Sequence, residues 1–330
     1  VPSPWKKFRY RFEWLALAAL AKLIPLLSRK ACARCARIFG ALAATFDRHG
    51  RRVALSNLEA AFGDRFSPTQ RSTIVRESYQ NFARTMLDLF WAPRLTRENF
   101  LRYIDIEDLE RFKKEIAPSG SCIFACLHYG NFEWVSLGMG FAGFPSGITA
   151  QEFKNSRIDP IFNSLRTVSG HHIVPREGAM LRLFKDLKRK GRIALLIDLS
   201  LVAERTAVVI DLFGLKTSTT FAHAWLHERT GSPIIPIYAE SQPDGRCRVF
   251  IQSKLEVAPN ATNQQVAQAC WDRFEPIIRE NPSAWLWSYK HWRYRPAATP
   301  RAYPFYSQFS QDFQALIQSG GENSASVAEE

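Results

Sequence analysis

Ser121-Cys-Ile-Phe-Ala-Cys-Leu-His-Tyr-Gly-Asn-Phe-Glu133 is the stretch on which the reading of this chain turns. Its apolar run, residues 122–127, predicts a buried strand. The strand delivers His128 onto a Tyr129-Gly130-Asn131 turn, and Glu133 follows five residues after the histidine, where a helix is expected to begin. Imidazole is the side chain best suited to take a proton near neutral pH. A carboxylate on its far ring nitrogen fixes the tautomer and stabilises the imidazolium that forms. Open α/β sheets place active sites where a strand end feeds a turn and a helix. His128 and Glu133 therefore suggest a general base that activates an acceptor hydroxyl. Beside this stands the blander reading, since a single histidine near an apolar strand is more often a packed turn residue.

Outward from this strand, element types alternate. Helices are predicted over 131–143, 159–168, 177–190, 217–230 and 263–280. Strands are predicted at 103–106, 147–151, 172–174, 193–197, 207–213, 234–240 and 246–252. Alternation at these lengths predicts an α/β fold with a mixed, mostly parallel sheet sandwiched by helices. The first third is helical, with runs at 31–48 and 51–62 and an amphipathic run at 71–91 opened by Ser67-Pro-Thr-Gln70. The expected layout is a membrane-anchoring helix in 1–30, a helical region in 31–100, the main domain in 101–300 and an extension in 301–330. From Gly320 that extension is small, polar and acidic, and disorder is expected there.

Hydrophobic residues form 46% of the 330-residue chain, which excludes whole-chain disorder. The formal net charge of +13 attracts nucleic acid, anionic lipid or an acidic protein. No zinc-finger spacing or RNA-recognition signature is present, so no nucleic-acid partner is expected. Cys122 and Cys126 read as small core residues. Cys32-x-x-Cys35 has no second pair, so neither a metal site nor redox chemistry is expected there. The absence of a disulfide framework suggests a reducing compartment. Residues 12–27 form an apolar stretch interrupted by Lys22 and Pro25, with no small-residue cleavage site after it. It falls short of the roughly 20 residues that span a bilayer. Lys6, Lys7, Arg9 and Arg11 precede it, Arg29, Lys30 and Arg34 follow it, and Trp5, Tyr10 and Trp14 suit an interface. The segment reads as a helix lying in the cytoplasmic leaflet. A soluble amphipathic helix packed on the domain is the alternative.

Other patterns carry less. Gly138-Met-Gly-Phe-Ala-Gly143 spells the dinucleotide glycine pattern, but it falls at the end of a predicted helix rather than between strand and helix. His223 and His227 share a predicted helix face with no third ligand, so packing is expected. Arg166 and Arg176 lie in the loop-rich middle, where a guanidinium suits a phosphate or carboxylate. Asp198 ends a buried strand on the rim expected for His128, where it holds substrate or orients a loop. Phe213-Gly214 ends the next strand, and the glycine permits close backbone approach. The aromatic and basic residues of 285–296 suit either an anionic head group or a domain-closing cluster.

In this order the blocks resemble the bacterial lipid A late acyltransferase family, within the lysophospholipid acyltransferase superfamily. The resemblance rests on the His-x-x-x-x-Asp/Glu motif, here His128 and Glu133 in a Gly130-Asn131-Phe132-Glu133 context. Arg51-Arg-Val-Ala-Leu-Ser-Asn-Leu-Glu-Ala-Ala-Phe62, Arg166, Asp198, Phe213-Gly214 with Thr220, and the closing Pro-x-x-Trp-x-Trp pattern of 282–293 carry the rest. Coverage runs over about 10–297. Departures are Leu199 where the family often has Gln, Leu212 where it often has Phe, and Tyr289-Lys-His-Trp-Arg293 in place of its commoner closing residues. The resemblance implies a glycerolipid-acyltransferase-like fold at the cytoplasmic face of the inner membrane. It implies acyl transfer from acyl carrier protein thioester, or acyl-CoA, to a hydroxyl of a lipid A precursor at an anionic membrane surface. His128 and Glu133 are then catalytic, Arg166, Asp198, Asn131 and Gly214 bind substrate, Arg166 and the turn amides serve the oxyanion, and no metal or other cofactor is required. Two alternatives are another glycolipid or lysophospholipid as acceptor, and a non-catalytic basic membrane-binding protein.

Overall fold

A computed structural model of the chain describes residues 3–150, 152–201, 207–299 and 301–320. The helical first third begins with α1 (Pro4–Leu23), α2 (Arg29–Phe46), α3 (Arg48–Phe62) and α4 (Pro68–Trp91). Each starts on a side-chain oxygen that takes an otherwise orphaned amide: Ser3, Ser28, Asp47 and Ser67. At Ser67 the cap is reciprocal, because Gln70 reaches back to the Ser67 amide at 2.8 Å. None of the described helices is long and apolar enough to cross a membrane.

The remaining elements are β1 (Ile104–Glu107), α5 (Leu109–Ile116), β2 (Cys122–Cys126), α6 (Phe132–Phe141), β3 (Gly147–Thr149), α7 (Asp159–Thr167), β4 (His172–Val174), α8 (Ala179–Lys188) and β5 (Arg192–Leu196). Then come β6 (Ala207–Leu212), β7 (Leu215–Thr220), α9 (Ala222–Thr230), β8 (Ile234–Ser241), β9 (Cys247–Ile251), α10 (Asn263–Glu280), β10 (Tyr294–Arg295), β11 (Gln308–Phe309) and α11 (Gln311–Gln318). Seven strands form one sheet in the order β1-β9-β8-β2-β5-β3-β4. All its pairings are parallel except β8 with β9, so the mostly parallel sheet expected from alternation is present.

β2 lies in the interior and is buried throughout, as a parallel strand covered on both faces must be. Its side chains alternate between two cores. Ile123 and Ala125 join one, with Ile193, Leu226 and Trp271. Cys122, Phe124 and Cys126 join the other, with Phe112, Trp134 and Ile235.

Three differences from the sequence expectations stand out. The helix expected from 217 begins only at Ala222, because 215–220 complete an antiparallel hairpin with β6. The β-branched Thr217, Thr219 and Thr220 favour that state. The hairpin turns through Phe213 and Gly214, at φ 54° and 75°, the pair of positive values a tight two-residue hairpin needs. Phenylalanine rarely adopts this conformation, and its ring is locked among Phe62, Trp285, Trp287 and Trp292. The short helix α5 was not anticipated. Nor was α11, whose buried Phe313 and Leu316 pack on Ala207 and Val209 of the hairpin. Gln151, placed in an expected strand, and the tail 321–330, expected to be disordered, lie outside the described residues.

Candidate active site

The site grows from the C-terminal ends of β2 and β5, which lie side by side in parallel with Cys126 opposite Leu196. The Ile197 amide donates to Cys126 O at 2.9 Å and carries the ladder one step further. Two residues past the paired positions, His128 therefore meets Asp198. Asp198 Oδ1 lies 2.7 Å from His128 Nδ1, and Oδ2 accepts the His128 backbone amide at 2.8 Å. Oδ2 also accepts the Trp285 indole N–H at 3.0 Å. The Asp198 side chain is 1% exposed and that of His128 18%. The histidine is thus the member of the pair that a substrate can reach.

Glu133 was expected on the imidazole. The acid that bonds the ring is Asp198, and Glu133 is held by Arg166. Arg166 Nε lies 3.1 Å from both Glu133 oxygens, and Nη2 lies 2.5 Å from Oε1. The reason is geometric. Strand register hands the ring's Nδ1 to Asp198, while α6 opens at Phe132 and carries Glu133 in its first turn, within reach of Arg166 near the end of α7. Glu133 still acts on the histidine through its field.

Burial alone would lower the His128 pKa. The charge and hydrogen bond of Asp198, with the nearby Glu133 charge, more than offset it, and the net shift is upward. For Asp198 burial pushes the pKa up, but His128, His291 and the Trp285 N–H hold it below the ordinary carboxylate value. Burial works against the Arg166 charge, and Glu133 reverses that. An imidazolium formed here would be stabilised by two carboxylates.

The turn that carries His128 is clamped on two sides. Gly130 sits at φ 55°, and a Cβ there would fall 1.7 Å from Ala239 O, so only glycine fits. On one side, α4 supplies Thr85, whose hydroxyl donates to Gly130 O at 2.9 Å. It also supplies Asp88, which accepts from Asn131 Nδ2 at 2.7 Å. Asn131 Oδ1 in turn caps α6 through the Trp134 amide at 3.1 Å. Asp88 is itself held by Arg29 at 2.6 Å and Arg84 at 3.5 Å. The Arg29 guanidinium lies against both Trp91 and Trp134. On the other side, the Gly130 amide donates to Ala284 O at 2.8 Å and the Leu286 amide to His128 O at 3.1 Å. Asn57 Nδ2 pins that closing segment through Trp287 O and Tyr289 O. Thr217 Oγ1 pins it through His291 O.

The sequence candidates are therefore sorted by position. His128, Asp198, Glu133 and Arg166 come together. Asn131 is fully buried with both ends of its amide engaged, and it builds the turn. Gly214 lies in the hairpin turn with no described bond to the cluster. The His128 and Gly130 amides, two of those expected to serve an oxyanion, already have acceptors. Asp88 and Thr85 were missed. An acid inside the apolar run Leu87-Asp-Leu-Phe-Trp91 was the available signal, since a buried charge requires partners. Gly138 and Gly140 lie within α6, and the latter packs against Ser169. Both His223 ring nitrogens lack a hydrogen-bond partner among the described residues, and His227 Nδ1 bonds Ser232 O. Among the described residues no group of three or more His, Cys, Asp or Glu is placed to hold a metal.

Fold and site define an α/β protein with a histidine–acid centre at the C-terminal edge of parallel strands, beside a carboxylate–arginine pair. The family model described as bacterial lipid A biosynthesis acyltransferase matches residues 4–294, and the chain belongs to that family. Membership makes it an acyltransferase of the lipid A type, with an acyl donor and a lipid acceptor as substrates. No curated protein matches the chain.

Proposed function

We propose that this protein is an O-acyltransferase that moves a fatty acyl chain from an acyl carrier protein thioester, or acyl-CoA, to a hydroxyl of a lipid A precursor at the cytoplasmic face of the inner membrane. The 2.7 Å contact between His128 Nδ1 and buried Asp198 carries the reading. It assigns the proton to Nδ1 and turns Nε2, which has no hydrogen bond among the described residues, into the basic nitrogen. Nε2 takes the acceptor proton as the hydroxyl oxygen attacks the thioester carbonyl carbon. The tetrahedral intermediate collapses, the C–S bond breaks, and the departing thiolate takes the proton back from the imidazolium. No acyl-enzyme intermediate forms. Asp198 orients the ring, and Glu133 adds negative charge beside the imidazolium. Arg166 uses Nε and Nη2 on Glu133, which leaves Nη1 as the donor to the oxyanion. The net charge of +13 favours both an acidic carrier protein and a phosphorylated lipid. α1 buries none of its residues and exposes Trp5, Phe8, Phe12 and Leu15, which suits attachment to the bilayer.

The test is acyl transfer from acyl carrier protein thioester to lipid A precursor in detergent, followed by mass spectrometry with lysophosphatidic acid as the competing acceptor. His128→Ala and Glu133→Ala are each expected to lose about 10²-fold or more in turnover with unchanged circular dichroism. Near-normal turnover in both would remove the assignment, and preference for lysophosphatidic acid would move the acceptor class.

A further inference from the structure

α2 packs inside out. Its inward stripe is Cys32, Ala36, Gly40 and Ala44, small residues at four-residue spacing, all buried. They let the helix close onto the α4 backbone, where a Cβ on Gly40 would fall 2.4 Å from Gln80 Cα. The large apolar side chains face away from the protein: Ile38 is 59% exposed, Phe39 54%, Leu42 46% and Phe46 78%. A helix on a water-facing surface turns such residues inward. Small residues inward and large ones outward is how helices pack within a bilayer.

The same outward face carries charge of one sign. α2 contains no acidic residue, and Lys30, Arg34 and Arg37 are exposed. None of the three pairs with an acid among the described residues. At 3.6 residues per turn they occupy one flank of the outward face, and Ile38, Leu42 and Phe46 run beside them along the other. Arg34, Arg37, Ile38, Ala41, Leu42 and Thr45 line one open depression there. Cations beside an apolar stripe match a phosphate attached to acyl chains. A second copy of the chain is a poorer fit, because pairing two such faces would bring like charges together.

We infer that the outward face of α2 is a second bilayer-contact surface, seated on anionic phospholipid, with Arg34 and Arg37 on the phosphates and Ile38, Leu42 and Phe46 among the upper acyl carbons. This rests on the membrane reading proposed above and adds that attachment does not depend on α1 alone. α2 packs on α4, and α4 bonds the His128 turn through Thr85 and Asp88. A lipid-seated α2 therefore sets the orientation of the catalytic turn relative to the bilayer plane.

The experiment is co-sedimentation of the full chain with vesicles of phosphatidylethanolamine and phosphatidylglycerol, and with vesicles of phosphatidylcholine alone. Arg34→Gln/Arg37→Gln is expected to weaken partition to the anionic vesicles by about 30-fold and to change partition to the neutral ones little. Ile38→Ser/Leu42→Ser/Phe46→Ser is expected to weaken both. Trp5→Ser/Phe8→Ser/Phe12→Ser tests α1 separately, and transfer to detergent-solubilised acceptor is expected to be unchanged in all three, so loss of the acyltransfer reading is seen apart from loss of this one. Wild-type partition by both α2 variants overturns the inference, whatever the α1 variant does. So does a wild-type dimer in sedimentation velocity that the Ile38→Ser/Leu42→Ser/Phe46→Ser variant converts to monomer.

Discussion

At the scale of single residues, the proposed chemistry depends on which acid bonds the imidazole. Asp198 is buried and reaches both the ring and the backbone of His128. Replacing it with Asn keeps the shape but removes the charge that opposes burial. On the reading proposed above, His128 acts as a base when deprotonated, so the rate is expected to rise with pH through its pKa, which Asp198 and Glu133 shift upward from the ordinary 6.5 against the opposing effect of burial. Asp198→Asn is expected to move the midpoint of kcat/KM to lower pH and to reduce its plateau by about 10³-fold, because an Asn can also favour the wrong tautomer. Measuring kcat/KM from pH 5 to 9 checks this, and an unmoved midpoint would show that Asp198 does not set the charge of the base. His128 and Asp198 were both legible as rim residues. Their pairing was not, because sequence proximity favoured Glu133 and only the 126–196 register brings residue 198 opposite 128.

At the scale of elements, α4 bonds the turn that carries His128 and α2 bonds α4. Asp88 is the joint, with two arginines and Asn131 converging on one fully buried carboxylate. Burial raises its pKa, against the opposing charges of Arg29 and Arg84. Asp88→Ala leaves Arg29, which lies against Trp91 and Trp134, and the largely buried Arg84 without their anion. Breaking a buried pair in this way costs about 3–5 kcal/mol. Urea unfolding is expected to show that loss, with reduced acyl transfer at temperatures where the variant is folded. A loss below about 1 kcal/mol would mean that water already reaches the cluster. The amphipathic pattern of α4 predicted the helix itself. It did not identify the partners of Asp88, since Arg29 and Asn131 are 59 and 43 residues away.

At the scale of the whole molecule, three buried histidines with lowered pKa values, His171, His223 and His291, make stability sensitive to acid, the last two most strongly. Burial holds His223 and His291 at about 4, with His227 beside the first, and His128 beside the second while Asp198 opposes the shift. The unfolded chain takes these protons near pH 6.5 and the folded chain only near 4. Their contribution is therefore intact above 6.5 and is lost progressively as pH falls toward 4, by about 1.4 kcal/mol per pH unit for each histidine. His223 has no hydrogen-bond partner to lose among the described residues, so His223→Leu is expected to fold normally and to flatten the acid limb of a stability–pH curve by one histidine's share. An unchanged slope in that variant would place the proton uptake elsewhere. The sequence by itself determined the alternation of strands and helices, the burial of β2, the helices of the first third with the start of α4 at Ser67, and the rim position of His128. Each of these is a local matter of periodicity, capping and apolar content. Only the tertiary structure decided that Asp198 takes the imidazole, that Glu133 belongs to Arg166, that 215–220 are strand, and that α2 turns its large side chains outward. Those outcomes depend on register and on contacts between residues far apart in the chain, which a linear pattern does not encode.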